Sequence, residues 1–193
     1  SGMATSTRKR AIHLWGHEIS GGHHPHKLAQ ILFAHENSPG KKEISGSQDA
    51  IGIVIPGISK SHYNGEYWPH QIETLDDDEM INFLEDHISL VPLNPRAEGY
   101  QVLNKTDINK EKARALSEAA EKVWQAIQEK DLEKLGQSVR ESFISQVAMF
   151  PSMVDEDIRN FIKEMRAKHS DNILGYKLSG AGGGGYLICI TKE

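Results

Sequence analysis

The stretch GYKLSGAGGGGYLICIT, Gly175–Thr191, carries six of the chain's seventeen glycines between two strand-like segments. Glycine loses more backbone freedom on ordering than any other residue and brings no side chain to the core. A run of glycines between apolar strands is kept only where side chains would obstruct something. A two-residue hairpin turn needs one or two glycines, and the five in GAGGGG exceed that need. One reading is a tight or mobile surface turn. The other is a backbone drawn close to a ligand, with a row of exposed N–H groups forming a nest for an anion, usually phosphate. The pattern is not a Walker loop, because no Gly-Lys-Ser/Thr follows and no helix pattern begins after it.

The 193 residues suffice for one ordinary domain or two small ones, and 38% hydrophobic content allows a real core. A net charge of −5 argues against a nucleic-acid partner bound by bulk charge. Cys189 is the single cysteine, so no intramolecular disulfide can form, and a cytoplasmic setting is expected. Within YLICI it reads as a small core residue rather than a nucleophile. No apolar run approaches the length of a membrane helix, so no membrane partner is expected.

Along the chain, residues 1–24 read as irregular and polar. Pro25 opens a predicted helix with Leu28, Ile31, Leu32 and His35 on one face. The apolar, β-branched run Ala50–Ile58 reads as a strand. Asn64-Gly65 predicts a hairpin turn. Asp76–Asp78 open a short helix, with the carboxylates favourable at its N-terminus. Ile88–Leu93 reads as a strand. Three amphipathic helices follow. Ala113, Leu116, Ala120, Val123 and Ile127 mark the first, and Leu132, Leu135, Val139, Phe143 and Val147 the second. The third has Ile158, Phe161, Ile162 and Met165, with Ser152 and Asp155 as a capping box. Strands at Ile173–Leu178 and Tyr186–Thr191 flank the glycines. The predicted class is α+β, an antiparallel sheet packed with helices.

Lys177, Ser179, Gly180, Ala181 and Gly182–Gly185 match K-x-S/T-G-A-G-G-G-G followed by an apolar strand. This resembles the third motif of the GHMP kinases, named for galactokinase, homoserine kinase, mevalonate kinase and phosphomevalonate kinase. A second stretch, SGSQDAIG at Ser45–Gly52, is similar to the Gly-x-Gln-Asp-Gln stretch of the sugar-kinase branch, as in heptose-7-phosphate and fucose kinases. Ala50 stands where that branch has its final glutamine. The resemblance implies a remnant of the N-terminal kinase domain over residues 1–60, incomplete, and a GHMP kinase C-terminal domain over 61–193. It implies ATP and Mg²⁺ as cofactors and a sugar or sugar phosphate as substrate. Asp49 would be the acceptor-side base, Ser47 and Gln48 substrate contacts, and Ser179 to Gly185 the loop beside the nucleotide phosphates. No metal ligand is assigned. On the residues alone, Asp49 reads as a cap after the Ser-Gly-Ser turn.

The family's Gly-Leu-Gly-Ser-Ser phosphate loop does not occur in this sequence. The chain by itself is therefore expected not to turn over, and a complementary N-terminal kinase half or self-association is an expected partnership. The alternative is a non-catalytic module that binds a metabolite or a partner chain. His13, His17, His23, His24, His26 and His35 cluster early, and they read as polar surface before they read as a metal site. The aromatics of Tyr63–Pro69 could stack on a sugar face but read first as hairpin packing, and Arg96 stands where a basic residue could meet phosphate but reads first as an ordinary exposed arginine.

Overall fold

The computed structural model describes residues 4–16 and 24–192. Among them the elements are helices and antiparallel strands, so the α+β reading holds. Contacts divide the chain between Ile81 and Asn82. The sequence reading placed its boundary at residue 60.

The first unit builds on three helices, α1 (Thr5–Trp15), α2 (Pro25–Glu36) and α3 (Gln48–Val54). Residues 5–15, expected to be irregular, are helical because Thr7 and Ala11 fall one turn apart and are buried together. In α2, Leu28 and Leu32 are buried as expected, but Ile31 is exposed and Ala29 takes its place in the core. The largest departure is α3. The run expected as a strand is helical through Val54, with Ala50, Ile51 and Ile55 buried. A short continuous apolar run has no period by which to tell a buried strand from a buried helix. Packing of α3 on α2 decides it, and Pro56 stops the helix by forcing Ile55 into extended backbone. Ala50 and Leu32 share one cluster, and Ile51 and Ile55 share another with Ala29, Trp68 and Ile72.

The expected hairpin forms from β1 (Ile58–His62) and β2 (Gln71–Leu75). Its connection, residues 63–70, is longer than a two-residue turn at Asn64-Gly65. His70 donates its amide to the His62 carbonyl at 2.9 Å to close it. Trp68 packs its ring on Phe33, centroids 5.6 Å apart, as the packing reading of this aromatic segment expects. Helix α4 (Asp78–His87) follows, and Asp77 Oδ1 accepts from the amides of Glu79 and Met80.

The second unit is a three-stranded antiparallel sheet in the order β3 (Ile88–Pro92), β5 (Tyr186–Thr191), β4 (Ile173–Leu178). It packs with α5 (Lys110–Glu129), α6 (Leu132–Met149) and α7 (Glu156–His169). Asn109, Asp131 and Asp155 each cap a helix by accepting from the amide three residues on. Asp155 is thus itself the N-cap of α7. Ser152, expected to begin that cap, instead donates its hydroxyl to the Val102 carbonyl. The buried stripe of α5 is rotated from expectation. Ala113 and Ala120 are exposed, while Ala119, Trp124 and Ala126 join Ile127 inside. Cross-strand pairing sets Tyr176 opposite Cys189 and Leu178 opposite Leu187. That face meets Phe143, Ile158, Ile162 and Met165 in the main core. Cys189 is buried among them, its thiol pushed up to about 11 by desolvation, as an inert core residue should be.

Candidate functional site

The hairpin β4–β5 continues one pair beyond its strands, with the Ser179 amide donating to the Tyr186 carbonyl at 2.9 Å. Gly180 and Gly182 to Gly185 then all take positive φ. L-residues adopt that region only with strain. Protein atoms hold the loop from several sides. Gly183 donates its amide to the Met153 carbonyl at 2.8 Å, and Gly185 to the Asn94 carbonyl at 3.1 Å. Tyr100 donates its hydroxyl to the Ala181 carbonyl at 2.8 Å. Arg96 donates from Nε to the Gly182 carbonyl at 2.8 Å.

Close approach is therefore real, but the first guest is the protein. A Cβ on Gly182 would lie 2.8 Å from Met153, one on Gly183 2.5 Å from the Tyr100 ring, and one on Gly184 2.4 Å from the Asn94 carbonyl oxygen. The expectation of a continuous row of exposed N–H groups is corrected, since the Gly183 and Gly185 amides are engaged inward. Beside this loop lies a cavity of about 530 Å³, lined by Gly183, Gly184, Asn94, Tyr100, Asp155 and Phe161 among others. Burial raises the Tyr100 hydroxyl above its ordinary range, so it stays a neutral donor to the loop.

Lys177 sits on β4 opposite Ile188, and burial holds its ammonium below the usual lysine range. The charged form is disfavoured in the fold. Because the folded chain binds this proton less tightly than the unfolded chain, stability rises with pH between the depressed folded value and the ordinary lysine value. Lys177→Met is expected to raise the melting temperature at neutral pH and to flatten that rise. Melting curves across alkaline pH check both.

In the other unit, Ser47, Gln48 and Asp49 lie at the start of α3. Ser47 is fully buried. Its hydroxyl donates to the Tyr67 carbonyl at 2.8 Å and shares a hydrogen bond with the Tyr63 hydroxyl at 2.9 Å. It is therefore not presented as a substrate contact, and its role is to tie the 63–67 segment to α3. Gln48 is exposed, with its amide folded back over Gly46. Asp49 is exposed as a residue, yet its carboxyl is raised above the ordinary range, first by partial desolvation and then by the charge of Glu36.

Glu36 was not singled out from the sequence. It lies on the Leu28–Leu32 face of α2 and is buried. Its Oε1 accepts from the Thr7 hydroxyl at 2.6 Å, with Arg10 Nε at 3.9 Å. Its Oε2 is buried with no hydrogen-bond partner among the described residues. The signal was available: a glutamate continuing an apolar i, i+4 stripe is a charge directed into a core. Of the histidines, His13 stacks on His35 and His24 lies edge-on to His26. His17 and His23 lie outside the described residues. Arg96, expected to be exposed, is half-buried against the glycine loop.

Residues 123–193 match the family described as GHMP kinases C terminal. Over these residues the chain is similar to a GHMP kinase C-terminal domain. The matched segment begins within α5, runs through β5 and contains the whole glycine loop; Asp49 lies outside it. The fold is similar to the 2.4 Å crystal structure of a "Putative Sugar Kinase" from Campylobacter jejuni, with a TM-score of 0.62 and 18% sequence identity over 99% of this chain and 53% of that one. The chain thus spans about half the length of that structure, and at this identity the likeness is one of fold. No curated protein matches the sequence. No described helix is long and apolar enough to cross a membrane.

Proposed function

We propose that this chain forms the C-terminal portion of an ATP-dependent GHMP-type kinase that phosphorylates a sugar hydroxyl. The observation that carries the reading is the match of residues 123–193, with the whole glycine loop, to the family's C-terminal model, and the Asp49 carboxyl, raised by desolvation and the charge of Glu36, agrees with it. A sugar hydroxyl is a weak nucleophile. A carboxylate within hydrogen-bond reach orients it and takes its proton, and a raised pKa brings that base closer to neutral pH, where transfer is most efficient. The rest of phosphoryl transfer is positioning and charge stabilisation.

The Mg²⁺ that the resemblance implies would be held largely by the nucleotide phosphates, since among the described residues no group of three or more His, Cys, Asp or Glu could hold a metal ion. There the ion would neutralise the phosphate charge. By the resemblance, Ser179 and the glycines of the loop would border the phosphates. A free, buried cysteine and an ATP-dependent reaction fit a cytoplasmic enzyme.

A coupled ADP-release assay over a panel of sugars tests the proposal, with the chain alone and mixed with a complementary chain that carries the Gly-Leu-Gly-Ser-Ser segment. Transfer is expected only from the mixture. Asp49→Asn is expected to lower the rate by roughly 10²–10⁴-fold. Glu36→Gln removes a like charge and so lowers the Asp49 pKa; the acidic limb of the rate profile should move to lower pH. Stability has the opposite signature. A raised folded pKa favours the fold while Asp49 is protonated, and that advantage is lost as pH rises through the folded value. Asp49→Asn should therefore melt at or above the parent temperature at pH 7. Sugar binding without ADP release from any mixture would instead support the non-catalytic module.

A further inference from the structure

We propose that Arg96 is the fixed cation of the glycine loop and binds the oxyanion of a phosphate group there. This rests on the loop's reading as the phosphate-side element of a kinase, and it names the side chain that supplies charge to it.

The backbone after β3 is laid along the loop. Leu93 donates its amide to the Gly185 carbonyl at 2.8 Å, and Gly185 donates to Asn94. The Arg96 amide nitrogen lies 3.0 Å from where a Cβ of Gly184 would stand. From that point the side chain runs back along the loop. Its Nε donates to the Gly182 carbonyl, and its Nη2 ends 3.6 Å from where a Cβ of Gly180 would stand. Arg96 thus registers against Gly184, Gly182 and Gly180 in turn. Among the described residues, chain neighbours aside, nothing else approaches the Cβ position of Gly180 within 4 Å.

One edge of the guanidinium is anchored and its terminal nitrogens have no carboxylate partner among the described residues. An arginine in this state has paid much of the ordering entropy before a ligand arrives, and its planar fork matches two oxygens of one phosphate. The charge is needed. Two of the loop's amides, those of Gly183 and Gly185, face protein carbonyls and leave the anion fewer donors than a full nest would provide. The Tyr100 hydroxyl, also bound inward, cannot substitute. A nucleotide phosphate and the phosphate of a phosphorylated sugar would be held by the same chemistry.

The test is an NMR titration of the ¹⁵N-labelled chain with inorganic pyrophosphate, read at the amides of Gly180, Ala181 and Gly182. Separate arms use ADP and glucose 6-phosphate. Pyrophosphate should shift these amides saturably, and the tighter of the two organic arms identifies the source. Arg96→Gln should weaken pyrophosphate at least tenfold, and Arg96→Lys should recover only part, since it restores charge without the fork. A purely structural brace on Gly182 would lower the melting temperature of Arg96→Gln and leave the pyrophosphate affinity of the folded fraction unchanged, and that result overturns the proposal. Unmoved loop amides in the parent chain overturn it as well. Absence of sugar phosphorylation with pyrophosphate still held through Arg96 would count against the kinase reading alone.

Discussion

Gly175→Ala is expected to destabilise the second unit by about 3 kcal/mol or more, which is at or beyond the upper end of ordinary overpacking. A Cβ at this position would lie 2.1 Å from the Gly136 carbonyl oxygen and 2.7 Å from its Cα. Neither atom belongs to a side chain that can rotate away. Helix α6 and strand β4 meet here backbone to backbone, and Gly136 answers from the helix: a Cβ on it would lie 2.4 Å from Leu174 Cβ and 2.8 Å from the Leu174 carbonyl carbon. The strand register shifts between Ile173 and Gly175 at the same place. To admit one methyl, the helix must lift from the sheet. That would loosen Phe143 from Tyr176, whose rings now meet at 5.8 Å, and open the core beneath. Against a typical domain stability of roughly 5–15 kcal/mol, such a loss shifts the denaturant midpoint strongly. Trp124 on α5 lies in this unit, whereas Trp15 and Trp68 lie in the other, so a chain with both replaced by phenylalanine reports this transition alone. A Gly175→Ala chain with the parental midpoint would refute the close packing of α6 on β4.

Gly183→Val is expected to have the next largest effect, and its origin can be separated from that of a neighbouring substitution. At φ +67, an L-residue carries roughly 1–2 kcal/mol of left-handed strain. Valine adds a collision, because a Cβ there lies 2.5 Å from two carbons of the Tyr100 ring. Gly180 has nearly the same φ, +68, but meets only the flexible tip of Arg96 at 3.6 Å. Gly180→Ala should therefore show the strain alone, and Gly183→Ala should show more. In a Tyr100→Ala background the collision disappears, so the excess of Gly183→Ala over Gly180→Ala should vanish. A double-mutant cycle on melting or denaturant curves reads that coupling directly. Equal losses at the two glycines in the parent chain would show that Tyr100 does not govern the loop. In the transfer assay, Gly183→Val should lose activity in step with its loss of folded protein.

The sequence by itself determined that the glycines mark a close approach, because no other residue type tolerates several positive φ values between two apolar strands. It also determined α6, α7, and both strands of the β4–β5 hairpin, where a clear 3.6-residue or two-residue period survives. Tertiary structure decided what comes close. Tyr100, Met153 and Asn94 occupy the space around the loop, and nothing local in GAGGGG distinguishes a tyrosine ring from a ligand. It likewise decided α3, since the apolar run after Asp49 has no period of its own and takes the helix that fits against α2. That choice is what sets Asp49 in the first turn of a helix within the field of Glu36, thirteen residues away in sequence. The raised carboxyl belongs to neither residue's local sequence. It arises because burial removes water from both carboxyl groups and leaves their repulsion poorly screened, a property that exists only once α2 and α3 have packed.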